Sequence, residues 1–100
     1  MFTEKAEITV TAGREREFES VLVEARAILR KAKGFTSIRV GRGVERPSTF
    51  VLLIGWETVE DHTAGFRQSE LYTRWRELIG PFFADVPVVE HFEDLPTLTL

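Results

Sequence analysis

Between Thr49 and Glu57 the chain reads TFVLLIGWE, a run that is apolar in both phases of a strand. Phe50, Leu52, Ile54 and Trp56 fall on one face, and Val51 and Leu53 fall on the other. A strand apolar on both faces is central in its sheet and covered on both sides. One hundred residues make one domain with a single core, so the second cover has to come from outside that core.

The segments around this strand supply the first cover. Residues 2–11 alternate, with Phe2, Ala6, Ile8 and Val10 pointing one way and Thr3, Lys5, Glu7, Thr9 and Thr11 the other, which predicts a strand. From Arg14 to Lys33 the apolar residues Phe18, Val21, Leu22, Ala25, Ile28, Leu29 and Ala32 recur every three or four positions, the stripe of an amphipathic helix. Acids stand early in that helix and bases late, the order its dipole favours, and Gly34 is placed to end it. Residues 35–44 predict a second strand, and the polar turn Glu45-Arg46-Pro47-Ser48 leads into the central one. Thr58 to Asp61 is a loose capping box, with Asp where Glu or Gln is usual, opening a short helix that carries Val59, His62, Thr63 and Phe66. Ser69 is placed to cap a longer helix with Leu71 or Tyr72, Trp75, Leu78 and Ile79 inward, ended by Gly80-Pro81. Val86 to Asp94 predicts a fourth strand, and the Thr/Leu alternation of the tail could add an edge strand.

The order is βαββαβ, the split βαβ arrangement of ferredoxin-like α+β folds, with an antiparallel four-stranded sheet and helices on one face. The other face carries Val51 and Leu53. A second copy of the chain covers such a face most simply, by two-fold symmetry, so a homodimer through the sheet is expected.

Composition narrows the function classes. The net charge is −3 and the thirteen basic residues are interspersed with acids, which argues against a nucleic-acid surface. TFVLLIGW also lacks the basic and aromatic pattern on which RNA-binding domains of this topology stack bases. Without cysteine there is no disulfide, thiolate metal site or cysteine nucleophile. Two histidines 29 positions apart with scattered carboxylates make a poor metal signature, and Gly41-Arg42-Gly43 opens no helix, so it is no phosphate loop. Acids occupy the N-terminus where a signal peptide needs an apolar core, and no apolar run approaches the roughly 18 residues of a membrane span. The expectation is a cytoplasmic protein with no membrane or nucleic-acid partner.

The stretch 56–75, WETVEDHTAGFRQSELYTRW, followed by LIGPFF and by PVVEHFE at 87–93, resembles the antibiotic biosynthesis monooxygenase (ABM) family of the dimeric α/β-barrel superfamily. The resemblance covers the whole chain, 1–100, in element order. It implies a homodimer whose sheets face each other, and in each subunit a pocket between sheet and helices. Characterised members include oxygenases that oxidise aromatic polyketides or quinols without metal or flavin, and others that degrade haem. The haem-degrading members use an Asn on the first strand and a His ligand on the later helix. This sequence contains no Asn and carries Trp75 or Arg76 where that ligand would fall, so haem is not expected. The resemblance therefore implies a reaction with no cofactor.

His62 is the candidate catalytic residue, since a neutral imidazole at a pocket wall can accept a phenolic proton near working pH. Packing on the stripe with Val59 and Phe66, with the ring bonded to backbone, is the commoner fate of such a residue. Trp56, Phe66, Tyr72 and Trp75 could box a flat aromatic substrate, or simply fill the core. Arg67 could hold an anionic oxygen of the substrate, or pair with Glu60 or Glu70 at the surface. Arg39, mid-strand, needs an acidic partner, and Glu7, Glu90 or Glu93 of a second subunit would serve. His91 is expected to be structural or interfacial. Two functions fit these residues: a cofactor-independent monooxygenase acting on an aromatic or quinol-type molecule, and a non-catalytic small-molecule-binding or regulatory protein of the same architecture.

Overall fold

The computed structural model describes all residues 1–100. Eight-residue strand β1 (Phe2–Thr9) is followed by α1 (Glu15–Leu29), β2 (Phe35–Arg42) and β3 (Thr49–Trp56). A π-helical turn (Asp61–Phe66), α2 (Glu70–Ile79) and β4 (Val88–Glu93) complete the order, with short 3-10 turns at Gly80–Phe82 and Pro96–Leu98. The sheet is antiparallel in the order β2-β3-β1-β4, the ferredoxin-like α+β topology.

The register sets which side chains share a face. Ala6 pairs with Leu52 and Val89, and Ile8 with Phe50, so the even positions of β1 and β3 look toward the helices. There they join Phe18, Leu22, Ala25, Ile28 and Leu29 of α1 and Trp75 and Ile79 of α2 in one core of sixteen buried side chains. Each fully buried aliphatic or aromatic side chain contributes about 1.5–3 kcal/mol through apolar area removed from water. Phe18 sits edge-on to Phe50, with ring centroids 5.0 Å apart, and ties the middle of α1 to β3. The opposite face presents Val51 and Leu53 of β3, Lys5 and Glu7 of β1, Arg39 of β2, and Val88, Glu90 and Phe92 of β4.

Several boundaries differ from the sequence-based expectation. α1 ends at Leu29, and residues 30–34 leave it through tight turns, Lys31 N–H reaching Ile28 O and Ala32 N–H reaching Leu29 O. Gly34 closes that exit at φ +82, and a Cβ there would collide with the side chain of Asp61. β4 starts after Pro87, which has no N–H to give a ladder. The tail adds no strand; Pro96 turns it into a 3-10 turn. Thr58 Oγ1 does accept the N–H of Asp61, one half of a capping box. Ser69 makes no side-chain cap; its hydroxyl donates back to Phe66 O at 2.7 Å. No helix is long and apolar enough to cross a membrane.

Candidate active site

A cavity of about 320 Å³ lies between the helix-facing side of the sheet and the π-helical turn and α2. Its floor is β1 and β3, through Glu4, Ala6, Ile8, Leu52 and Ile54. Its walls are His62 and Phe66 of the turn and Tyr72, Trp75 and Ile79 of α2. Arg67 and Arg76 stand where it opens to solvent, both exposed. A wider groove of about 410 Å³ between α1 and β2 holds Glu19, Arg26 and Arg42 but no buried titratable group.

Glu4 is the unusual residue of the floor. It occupies an inward position of β1 and is 6% exposed, in the same phase as Ala6, Ile8 and Val10. Trp56 Nε1–H donates to its Oε1 at 3.0 Å. His62 Nε2 lies 3.2 Å from the same oxygen. On the far side of the His62 ring, Nδ1 is 2.7 Å from Nε2 of His91. His91 comes from the edge strand, where the register sets it beside Glu4. A carboxyl, two imidazoles and an indole N–H thus form one connected polar group at one end of an apolar pocket.

Burial governs how these groups titrate. It raises the pKa of Glu4 against the Trp56 hydrogen bond and the positive charge of Arg67, both of which favour the carboxylate. It lowers His62 to about 3, helped by the charges of Arg67 and His91, so the ring is neutral at neutral pH. His91 is lowered in the same way, by burial and then by Arg67. A 3.2 Å contact between His62 and Glu4 is therefore not an ion pair of imidazolium and carboxylate. It is a neutral ring facing a carboxyl.

A sequence model of the antibiotic biosynthesis monooxygenase family matches residues 1–78. The chain belongs to the antibiotic biosynthesis monooxygenase family. It is 38% identical over 95 residues to the uncharacterized protein YczJ of Bacillus subtilis strain 168, covering 95% of this chain and all of YczJ. It superposes with a TM-score of 0.91 on a crystal structure from Bordetella bronchiseptica assigned to the same family, at 37% identity over 94% of this chain and 96% of that one. SnoaB from Streptomyces nogalater, a cofactor-independent oxygenase, shares the fold with a TM-score of 0.78 at 20% identity, covering 97% of this chain and 95% of that one.

In this ABM protein His62, Phe66, Arg67, Tyr72 and Trp75 all border the one cavity, which they share with Glu4. Trp56 does not border it; it is fully buried behind His62, stacked on that ring. His62 does not bond to backbone through its ring, since both ring nitrogens face side chains. Arg67 forms no ion pair with Glu60 or Glu70, and Arg39 is exposed on the open face opposite Leu53. His91, expected to be structural or interfacial, is bonded to His62. Sequence reasoning misses Glu4 altogether, although its inward phase among apolar neighbours is visible in the alternation of residues 2–11.

Proposed function

We propose that this ABM-family chain is a cofactor-independent oxygenase for a planar phenol or quinol held between sheet and helices, working as a homodimer joined through the open face of the sheet. The observation that carries the proposal is the Glu4 carboxyl, sealed under an apolar pocket with its nearest oxygen already engaged by Trp56 and His62. A carboxylate whose pKa is raised is a better proton acceptor than an ordinary one. In this account Glu4 takes the hydroxyl proton of the substrate, and neutral His62 orients the carboxyl. His62 itself, held neutral down to about pH 3, is the weaker base.

The phenolate so formed is the electron donor. Molecular oxygen is the oxidant: one of its atoms ends as a ring carbonyl, and the other leaves as water with the two hydrogens the substrate loses. Arg67, at the mouth of the cavity, favours the anion, and the apolar walls of Phe66 and Trp75 keep competing water away. SnoaB is a cofactor-independent oxygenase of this fold, and that chemistry comes to this protein by likeness only.

The test is oxygen uptake with a panel of quinols and polyphenols. Consumption by the wild-type protein, reduced about 10²–10⁴-fold in a folded Glu4→Gln variant, is the expected result. No uptake with any member of the panel, alongside saturable binding of aromatics, would instead favour a small-molecule-binding protein.

A further inference from the structure

We propose that Glu4, His62 and His91 form a proton wire through which the buried Glu4 carboxyl exchanges its proton with solvent at the edge of the sheet. The wire deepens the oxygenase assignment above and rests on it for its purpose, though not for its geometry. The two imidazole nitrogens 2.7 Å apart share a single hydrogen, because two donors or two acceptors at that distance repel. The same constraint applies between His62 Nε2 and Glu4 Oε1 at 3.2 Å. Trp56 can only donate to Glu4, so it never competes for the wire's hydrogen.

Two arrangements satisfy every contact. With Glu4 ionised, His62 carries its hydrogen on Nε2, facing the carboxylate, and His91 donates Nε2–H to His62 Nδ1. With Glu4 protonated, its O–H faces His62 Nε2, His62 donates Nδ1–H to His91 Nε2, and His91 carries its own hydrogen on Nδ1. Passing from the second to the first moves the Glu4 proton to His62, the Nδ1 proton of His62 to His91, and the Nδ1 proton of His91 to water. One proton leaves Glu4 and one is released to solvent. No ring has to hold a charge at either end of the process.

The placement explains why such a route is useful. Glu4 and His62 border the cavity, so a bound aromatic cuts Glu4 off from water on that side. His91 does not border the cavity and is partly exposed on the outermost strand. The charged and titratable groups facing the wire are Arg67 from the turn, Tyr72 and Arg76 from α2, and Glu93 two residues beyond His91 on the same face of β4. α1 contributes only apolar Leu29 to the cavity.

Histidine-ring ¹⁵N NMR and the side-chain carboxyl ¹³C signal of Glu4, recorded across a pH titration of the protein without any ligand, test the wire directly. The expected result is that His62 and His91 exchange tautomers together, at the midpoint where Glu4 titrates, with His62 remaining neutral. In Glu4→Gln the exchange should be lost and both rings held as Nε2–H, since the carboxamide oxygen that takes the place of Oε1 can only accept. In His91→Phe, a change on the partly exposed edge strand, His62 should still follow Glu4 through their direct contact, while exchange of the Glu4 proton with solvent slows. Either ring keeping one tautomer while Glu4 titrates, separate midpoints for the two rings, or an exchange that survives in Glu4→Gln would overturn the proposal. None of these outcomes depends on turnover, so oxygen uptake can fail while the wire stands, and the reverse.

Discussion

The rings of Trp56 and His62 stack with centroids 5.2 Å apart and planes 23° from parallel, and both present a ring nitrogen to Oε1 of Glu4. The stack fixes the direction from which each nitrogen approaches. One oxygen of a buried carboxyl therefore meets the two rings, and Glu4 also borders the cavity. This division separates holding the carboxyl from using it.

Glu4→Gln and Glu4→Ala should separate those two roles. Gln keeps an acceptor for Trp56, so the fold should persist while oxygen uptake falls. Ala leaves the Trp56 N–H buried without a partner, which costs about 1–3 kcal/mol. A lowered melting temperature for Ala but not for Gln, by calorimetry, is the expected pattern. Equal destabilisation by both would show that the charge itself is structural.

The helix-facing stripe of α1, the two-sided character of β3 and the order of elements are all legible from spacing alone, because period 3.6 and period 2 are local properties. The inward phase of Glu4 is local too, but sorting strand residues by apolar character passes over a carboxylate in the buried phase. The His62–His91 bond is not legible. It depends on the β1–β4 register that sets His91 beside Glu4, and on the π-helical turn that aims His62 at both. Neither the register nor the wider helical turn leaves a mark in residues 29 positions apart.

Acid should weaken the fold through His62. Its folded value of about 3 lies below the ordinary 6.5, so its contribution is complete above pH 6.5 and is lost as pH falls toward 3. Glu4 works in the opposite sense: its raised value gives stability that is present below the ordinary 4.5 and lost as pH rises through the folded value. His62→Phe preserves a stacking ring and removes the titration. The gap in melting temperature between wild type and this variant should therefore narrow between about pH 7 and pH 4. A constant gap would mean that His62 is not held neutral by the fold.

Arg67 should matter to anions and not to neutral aromatics. It stands at the cavity mouth with no carboxylate in ion-pair contact, and its charge lowers both histidines. Arg67→Gln should weaken binding of 4-nitrophenolate by about two- to fivefold, the worth of an exposed charge contact, and leave nitrobenzene unchanged. The pKa of His91 should rise in the same variant, which NMR titration reads independently. Equal losses for both ligands would place Arg67 in packing instead of charge recognition.

The open face of the sheet should join two copies. Leu53 lies between Arg39 on β2 and Lys5 on β1, with Glu90 beyond on β4, so an apolar centre is edged by charges of both signs. Phe92, 48% exposed, and Val88, 58% exposed, extend the apolar area along the edge strand. In such a dimer Arg39 of one subunit would be expected to meet Glu90 or Glu7 of the other, with Val51 and Leu53 buried between them. Light scattering should report a dimer at micromolar concentration, and Leu53→Lys should give a folded monomer, because a lysine there would lie unpaired in an apolar interface. The helix-facing core is untouched by that change, so circular dichroism should be preserved. A wild-type monomer, or a Leu53→Lys protein that remains dimeric, would mean that the two-sided apolar strand has some other cover.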